Sequence, residues 1–192
     1  CNFTNITYEK TRPEKGGGAS IYISLDLPKG KNIDISGCTF IDNEADGFGG
    51  AVYADAFITG FKDNKFINCR SLFDCEDCHG GGGAIYLNAI SIDSPEFFSN
   101  NIFENCTSSN SGGALFVYCK DKEDEGSRSI RAHKTRITRE SDNYQYAILI
   151  NNCNFTGCQS NIEGGAISSG FNFIEYASGD NDFKLTNCHF TE

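Results

Sequence analysis

At 192 residues the chain has the length of one domain with a real core, and its formal net charge of −10 sets it against polyanions. An acidic chain repels the phosphates that dominate nucleic-acid affinity and the anionic headgroups of lipid surfaces, so neither is an expected partner. No run of 18 apolar residues and no signal-peptide pattern occurs, so membrane insertion is not expected, and the opening Cys1 suggests a processed or excised piece.

Taken in chain order, the same two phrases recur. "CNFTNI" (1–6) leads to "GGA" (17–19), and the alternating run "NIDISG" (32–37) precedes "CTFIDN" (38–43) and "GGAVY" (49–53). "FITGF" (57–61) then introduces "NKFINC" (64–69), followed after an insertion by "GGAIY" (82–86). "NIFENC" (101–106) runs to "GGALF" (112–116), and "AILINN" (147–152) to "CNFTGC" (153–158) and "GGAIS" (164–168). "FKLTN" (183–187) precedes a sixth copy, "CHFTE" (188–192). Each alternating run has period two and favours β-branched and aromatic residues, the pattern of a strand; no sustained helical period occurs.

Short strands, one motif per turn and insertions of variable length describe a parallel β-solenoid of about five rungs. The expected organisation is one all-β domain over 1–192, with rungs starting near 1, 38, 64, 101, 153 and a partial one at 188. Residues 119–146 form a long charged insertion. Phe3, Phe40, Phe66, Phe103, Phe155 and Phe190 hold one place in the repeat and are expected to stack as a buried column. The glycines suit a sharp corner where a Cβ would clash. The residue three after each Phe (Asn43, Cys69, Cys106, Cys158) is expected to turn inward.

Phe-x-x-Asn followed by Gly-Gly-Ala-Ile/Leu resembles the repeats of the chlamydial polymorphic outer membrane proteins, which are surface-exposed autotransporter passengers. The resemblance runs along nearly the whole chain as a pattern of short motifs. It implies a right-handed parallel β-helix and an adhesive role. The chain departs from it where Ile6, Cys69, Cys106 and Cys158 replace the Asn.

Other chemistry is weaker. Cys75-Glu76-Asp77-Cys78-His79 is a literal C-x-x-C-H, the haem-attachment pattern. Methionine is absent, however, and only His133 and His189 remain as axial ligands. Zinc on Cys75, Cys78 and His79 or Cys119 is the other metal reading, and a disulfide-tied surface loop is preferred to both. The four glycines that follow lack Gly-Lys-Ser/Thr, so they are no phosphate loop. "DNEADG" (42–47) starts like a calcium loop, but Glu44 and Tyr53 break the pattern. Together with "GDND" (179–182) it is read as solvated acidic turns. The insertion collects Arg128, Arg131, His133, Lys134, Arg136 and Arg139, a basic patch suited to an anionic glycan and otherwise a solvated loop. No metal, cofactor or catalytic residue is expected.

Ten cysteines, an even number, point to an oxidising compartment where they pair. Cys1–Cys38 and Cys153–Cys188 hold equivalent places in adjacent rungs and are expected to bond, with Cys106 choosing between Cys69 and Cys158. Asn2 and Asn154 lie in N-x-[ST] sequons on strands that turn them outward, making them the best N-glycosylation candidates, ahead of Asn5 and Asn105 near corners. The functional expectation is a glycosylated, extracellular or cell-surface structural and adhesive module. Its partners would be copies of itself stacked head to tail as a fibre, neighbouring repeats of a longer chain, glycans or a host surface. A β-helical polysaccharide lyase or hydrolase is the alternative, since that fold hosts such enzymes.

Overall fold

The computed structural model describes residues 1–9, 17–23, 33–54, 58–73, 80–89, 98–119, 148–171 and 183–192. Within them the chain winds as a parallel β-helix of four sheets, each strand pairing with its equivalents one rung away. The first sheet has six strands, β1 (Asn2–Thr4), β5 (Thr39–Ile41), β9 (Lys65–Ile67), β13 (Ile102–Glu104), β17 (Asn154–Thr156) and β21 (His189–Thr191). The second contains β2 (Thr7–Tyr8), β6 (Glu44–Ala45), β10 (Arg70–Ser71), β14 (Thr107–Ser108) and β18 (Gln159–Ser160). β3 (Ile21–Ile23), β7 (Val52–Ala54), β11 (Ile85–Ala89), β15 (Leu115–Cys119) and β19 (Ile167–Phe171) make the third. The fourth is β4 (Ile33–Ser36), β8 (Ile58–Lys62), β12 (Phe98–Ser99), β16 (Ile148–Asn151) and β20 (Phe183–Thr186). Among the described residues no helix is long and apolar enough to cross a membrane.

Period-two alternation decides what fills the interior. In the first sheet Phe3, Phe40, Phe66, Phe103, Phe155 and Phe190 pair in register and stack with ring centroids 4.7–5.0 Å apart and nearly parallel planes. The four inner rings are buried, while Phe190 is 51% exposed and Phe3 partly so, because each has a neighbouring ring on one side only. Phe61, Phe98 and Ile150 face them from the fourth sheet, and Val52, Ile85, Leu87, Leu115 and Val117 from the third.

The outward positions of the third sheet are also aromatic. Tyr22, Tyr53, Tyr86 and Phe116 stack in turn with centroids 5.0–5.6 Å apart. Phe48 stacks on Tyr86, and Phe73 meets Phe48 edge-on at 4.7 Å, giving a second small buried cluster. This column sets the register of the first rung, since a one-residue slip would send every side chain to the opposite face. Ile21 pairs with Val52 and Gly17 bridges Phe48. Gly18-Ala19-Ser20 therefore occupies the corner that Gly49-Gly50-Ala51 fills one rung on, which moves the sequence alignment of Gly17–Ala19 by one residue.

Gly-Gly-Ala turns the chain from the second sheet into the third, and its two glycines do different work. The first has a left-handed backbone, with φ of 69° at Gly49 and 74° at Gly82. The second is pinned by its neighbour: a Cβ on Gly50 would run into the carbonyl oxygen of Gly83, and one on Gly83 into that of Gly113. Gly80, the first of the four consecutive glycines, has no side chain because the Phe48 ring occupies that space.

Candidate functional site

Two further corners flank the first sheet, and both are built from residues that tolerate positive φ. Three residues before each Phe stand Gly37, Asp63, Asn100, Asn152 and Asn187; two after it stand Asn5, Asp42, Asn68, Asn105 and Gly157. All have φ between 51° and 60°. Asn and Asp are the side chains most at ease in this left-handed region. Once there, they stack outside the coil. Asn68 donates its amide to Asp42 Oδ1 (2.8 Å) and Asn105 to Asn68 Oδ1 (3.4 Å). On the other corner Asn100 donates to Asp63 (2.9 Å) and Asn152 to Asn100 (2.8 Å).

Beside each left-handed residue the chain turns inward. At one corner the Asn64 amide donates to the carbonyl of Ile35 (2.7 Å) and to Asn101 Oδ1 (3.1 Å), while its own oxygen accepts from the Cys38 N–H (2.9 Å). At the other, Asn43 donates to the Phe3 carbonyl (3.3 Å) and accepts from the Ile6 N–H (3.1 Å). Cysteine takes the same task in other rungs. Cys69, Cys106 and Cys158 direct their thiols at the carbonyls of Phe40, Phe66 and Phe103 (3.6–3.7 Å), the Phe of the preceding rung in each case. Cys188 treats the Ile150 carbonyl likewise (3.6 Å). Asn and Cys are interchangeable here because both deliver one donor to the rung before.

The thiol chemistry follows from position. Among the described residues Cys1, Cys38, Cys69, Cys106, Cys153, Cys158 and Cys188 are free thiols, so the expected Cys1–Cys38 and Cys153–Cys188 bridges are not formed. Strict in-register stacking holds equivalent Cβ atoms parallel at about the 4.8 Å strand spacing, wider than the Cβ separation of a disulfide, and the thiols hydrogen-bond carbonyls instead. Burial pushes the Cys153 thiol up to about 11, against the Asn101 amide that pulls it down. Burial also pushes Cys106 well up. Cys158 is lowered, first by the neighbouring Cys106 thiol, with its own burial working against the shift.

The outer face between the first and second sheets forms an open polar groove of about 500 Å³. One wall is the column Asp42, Asn68, Asn105 and Gly157; the other is Glu44, Arg70, Thr107 and Gln159, the outward positions of β6, β10, β14 and β18. Arg70 pairs with Glu44 at 3.5 Å across one rung. Hydrogen-bonding groups thus recur at every rung, about 4.8 Å apart. Sequence reasoning missed this groove, although Asn, Asp, Asn, Asn and Gly recurring two residues after Phe were a readable sign of left-handed corners.

The remaining expected residues fall as follows. Asn2, Asn5, Asn105 and Asn154 are all exposed, Asn2 and Asn154 on strands and Asn5 and Asn105 at left-handed corners. Of the calcium phrase, Asn43 points inward, Glu44 pairs with Arg70 and Asp42 accepts the Asn68 amide, so these oxygens do not converge. Among the described residues no group of three or more His, Cys, Asp or Glu side chains is placed to hold a metal ion. Cys75, Cys78, His79, His133, the basic insertion and residues 179–182 lie outside the described residues, as does the Cys119 side chain.

One rung, the second, keeps both the Asn of Phe-x-x-Asn and a Gly-Gly-Ala nine residues after its Phe. Residues 37–55 match the Chlamydia polymorphic membrane protein repeat. In the structure the matched segment runs from the left-handed Gly37 through β5, the Asp42-Asn43 corner, β6 and the Gly-Gly corner to β7. The other rungs keep this left-handed corner, with Cys69, Cys106 and Cys158 in place of the Asn in the later ones and Ile6 in the first. No curated protein and no solved structure matches the chain.

Proposed function

We propose that the chain is a cell-surface structural and adhesive module, a stiff β-helical rod that presents its outer groove to glycans of a neighbouring or host surface. The observation that carries this reading is the groove itself, two in-register columns of amide, hydroxyl and charged groups spanning four rungs. A repeat of the polymorphic membrane protein type supports display at a surface. Rigid strands hold the lining groups at fixed spacing, which reduces the ordering cost of binding an extended polar chain. Further rungs of a longer chain, or a second copy on the same axis, are the natural stacking partners, and the exposed sequon asparagines are the places for attached glycans.

The alternative, a polysaccharide-cleaving enzyme, draws on Asp42 and Glu44 sharing the groove. Both carboxylates already hold partners, Asn68 and Arg70, which favours recognition over acid–base chemistry. Binding of the native protein to an oligosaccharide array separates the two. Retention of an intact glycan, weakened at least about tenfold (about 1.4 kcal/mol) by Arg70→Ala or Thr107→Ala, is the expected result. Cleavage abolished by Asp42→Asn would replace the adhesive reading with the enzymatic one. No retention of any glycan would remove both.

A further inference from the structure

The amide column that forms one wall of the outer groove is interrupted at Gly157. Asp42 accepts the Asn68 amide (2.8 Å) and Asn68 accepts the Asn105 amide (3.4 Å), but the next left-handed corner is Gly157, which has no side-chain amide to give. The Asn105 oxygen accepts no hydrogen bond among the described residues, and it lies over Gly157, where a Cβ would run into it. The bond from Asn105 back to Asn68 is the longest in the two outer columns, as the amide leans toward the space that Gly157 leaves. This notch does not lie at an end of the coil. A further rung stands beyond it, since the Gly157 N–H donates to the Thr191 carbonyl (3.0 Å), and the Asn105 N–H is held on the same side by the Thr156 carbonyl (2.8 Å).

We infer that the groove takes an uncharged glycan, one hydroxyl of which donates to Asn105 Oδ1 in the notch above Gly157. The inference rests on the reading of the groove as a glycan-binding surface and names which glycans it admits. A sugar hydroxyl suits the notch because it supplies the donor that Gly157 lacks. The same hydroxyl can accept in turn from the Thr107 hydroxyl or the Gln159 amide, which line the other wall at this level. Charge decides the class of sugar. The lining carries two carboxylates, Asp42 and Glu44, against one guanidinium, Arg70, which Glu44 already holds at 3.5 Å. The formal net charge of −10 on the whole chain adds to that excess. A uronic or sulfated sugar would meet repulsion near Asp42 and find no unpaired cation among the described lining residues. A neutral sugar meets neither obstacle and has only hydroxyls to exchange with water.

The test measures retention of the native protein on an array of glucose, galactose and mannose oligomers beside uronic and sulfated oligomers of the same length, at low and at physiological salt. A neutral oligomer should be retained, and its retention should survive the higher salt, since no charge pair is there to be screened. Gly157→Asn continues the amide column at a backbone angle that Asn accepts. That variant should melt no lower than the parent and lose at least about tenfold in retention. Asn105→Gly removes the acceptor, suits the same backbone, and should lose as much. Asn152→Gly, at the matching corner on the other flank and outside the groove, should keep the parent's retention, which separates loss of the acceptor from loosening of a corner. Retention of acidic oligomers alone would overturn the inference and leave a glycan-binding groove standing, as would neutral retention unchanged by both Gly157→Asn and Asn105→Gly. No retention of any oligomer would end both.

Discussion

A buried backbone carbonyl at each inward corner requires a donor, and the repeat accepts two chemically distant residues for the task. Asn43 serves both the Phe3 carbonyl and the Ile6 N–H, whereas a thiol brings one weak donor. Asn43→Ala leaves both groups without their partner and should cost about 1–3 kcal/mol. Asn43→Cys should cost clearly less, because it restores contact with Phe3 as Cys69 does with Phe40. Equal losses in denaturant titrations of the two variants would show that the thiol is filler rather than a donor. The same burial links cysteine ionisation to stability. Cys153 keeps its proton in the folded chain up to about 11, above the value near 8.5 of a free thiol. Its contribution is therefore fully present below that lower value and is lost as pH rises through 11. The difference amounts to about 3 kcal/mol, with Cys106 acting in the same direction. Unfolding free energies measured between about pH 8 and 11 should fall steeply, and Cys153→Ser should flatten the slope.

At the scale of the element, the corners matter more than the strands, which are only two to five residues long. Each corner fails in its own way. Gly37 sits at φ 59° with nothing near a would-be Cβ, and the equivalent residues are Asp or Asn. Gly37→Asn should shift stability by less than about 0.5 kcal/mol, and Gly37→Ala should cost about 1. Gly50 faces the backbone of Arg70 and Gly83, so Gly50→Ala should cost about 3 kcal/mol or more, read as a lost or much lowered melting transition. The contrast shows what was legible in the sequence. The Phe column and the four later Gly-Gly-Ala corners could be read directly, because volume and the absence of a Cβ leave a strict signature. The first corner was misplaced by one residue, since Gly16-Gly17-Gly18 offers several frames and the Tyr22–Tyr53 stack that chooses among them is a contact between rungs. The groove escaped for a similar reason: its lining residues are ordinary surface types, and only the stacking of rungs brings them side by side. The cysteines were read as bridges because their spacing matched a disulfide, whereas side-chain direction, which spacing does not carry, leaves them as donors.

For the whole molecule, stability is a sum over rungs and the contacts between them. Phe103 lies between Phe66 and Phe155, whereas Phe190 has one neighbour and is half exposed. Phe103→Ala should cost about 3–5 kcal/mol and Phe190→Ala about 1 or less. Amide exchange should be slowest in β5, β9 and β13 and fastest in β2 and β21, as expected when local opening follows contact density. An even protection profile along the axis would contradict this additive picture. The outer amide columns add a property that neither the core nor the sheets supply alone. Asp42 and Asp63 are acceptors only, so each fixes the orientation of the amide above it, and that amide fixes the next. Both outer columns thus point their N–H groups toward the N-terminal rungs and their oxygens toward the C-terminal ones. The rod has a chemical arrow on its outside, set by two carboxylates. Any body that extends these columns, whether another rung or another molecule, must arrive with its own arrow pointing the same way, so an assembly grown along this axis would have two unlike ends.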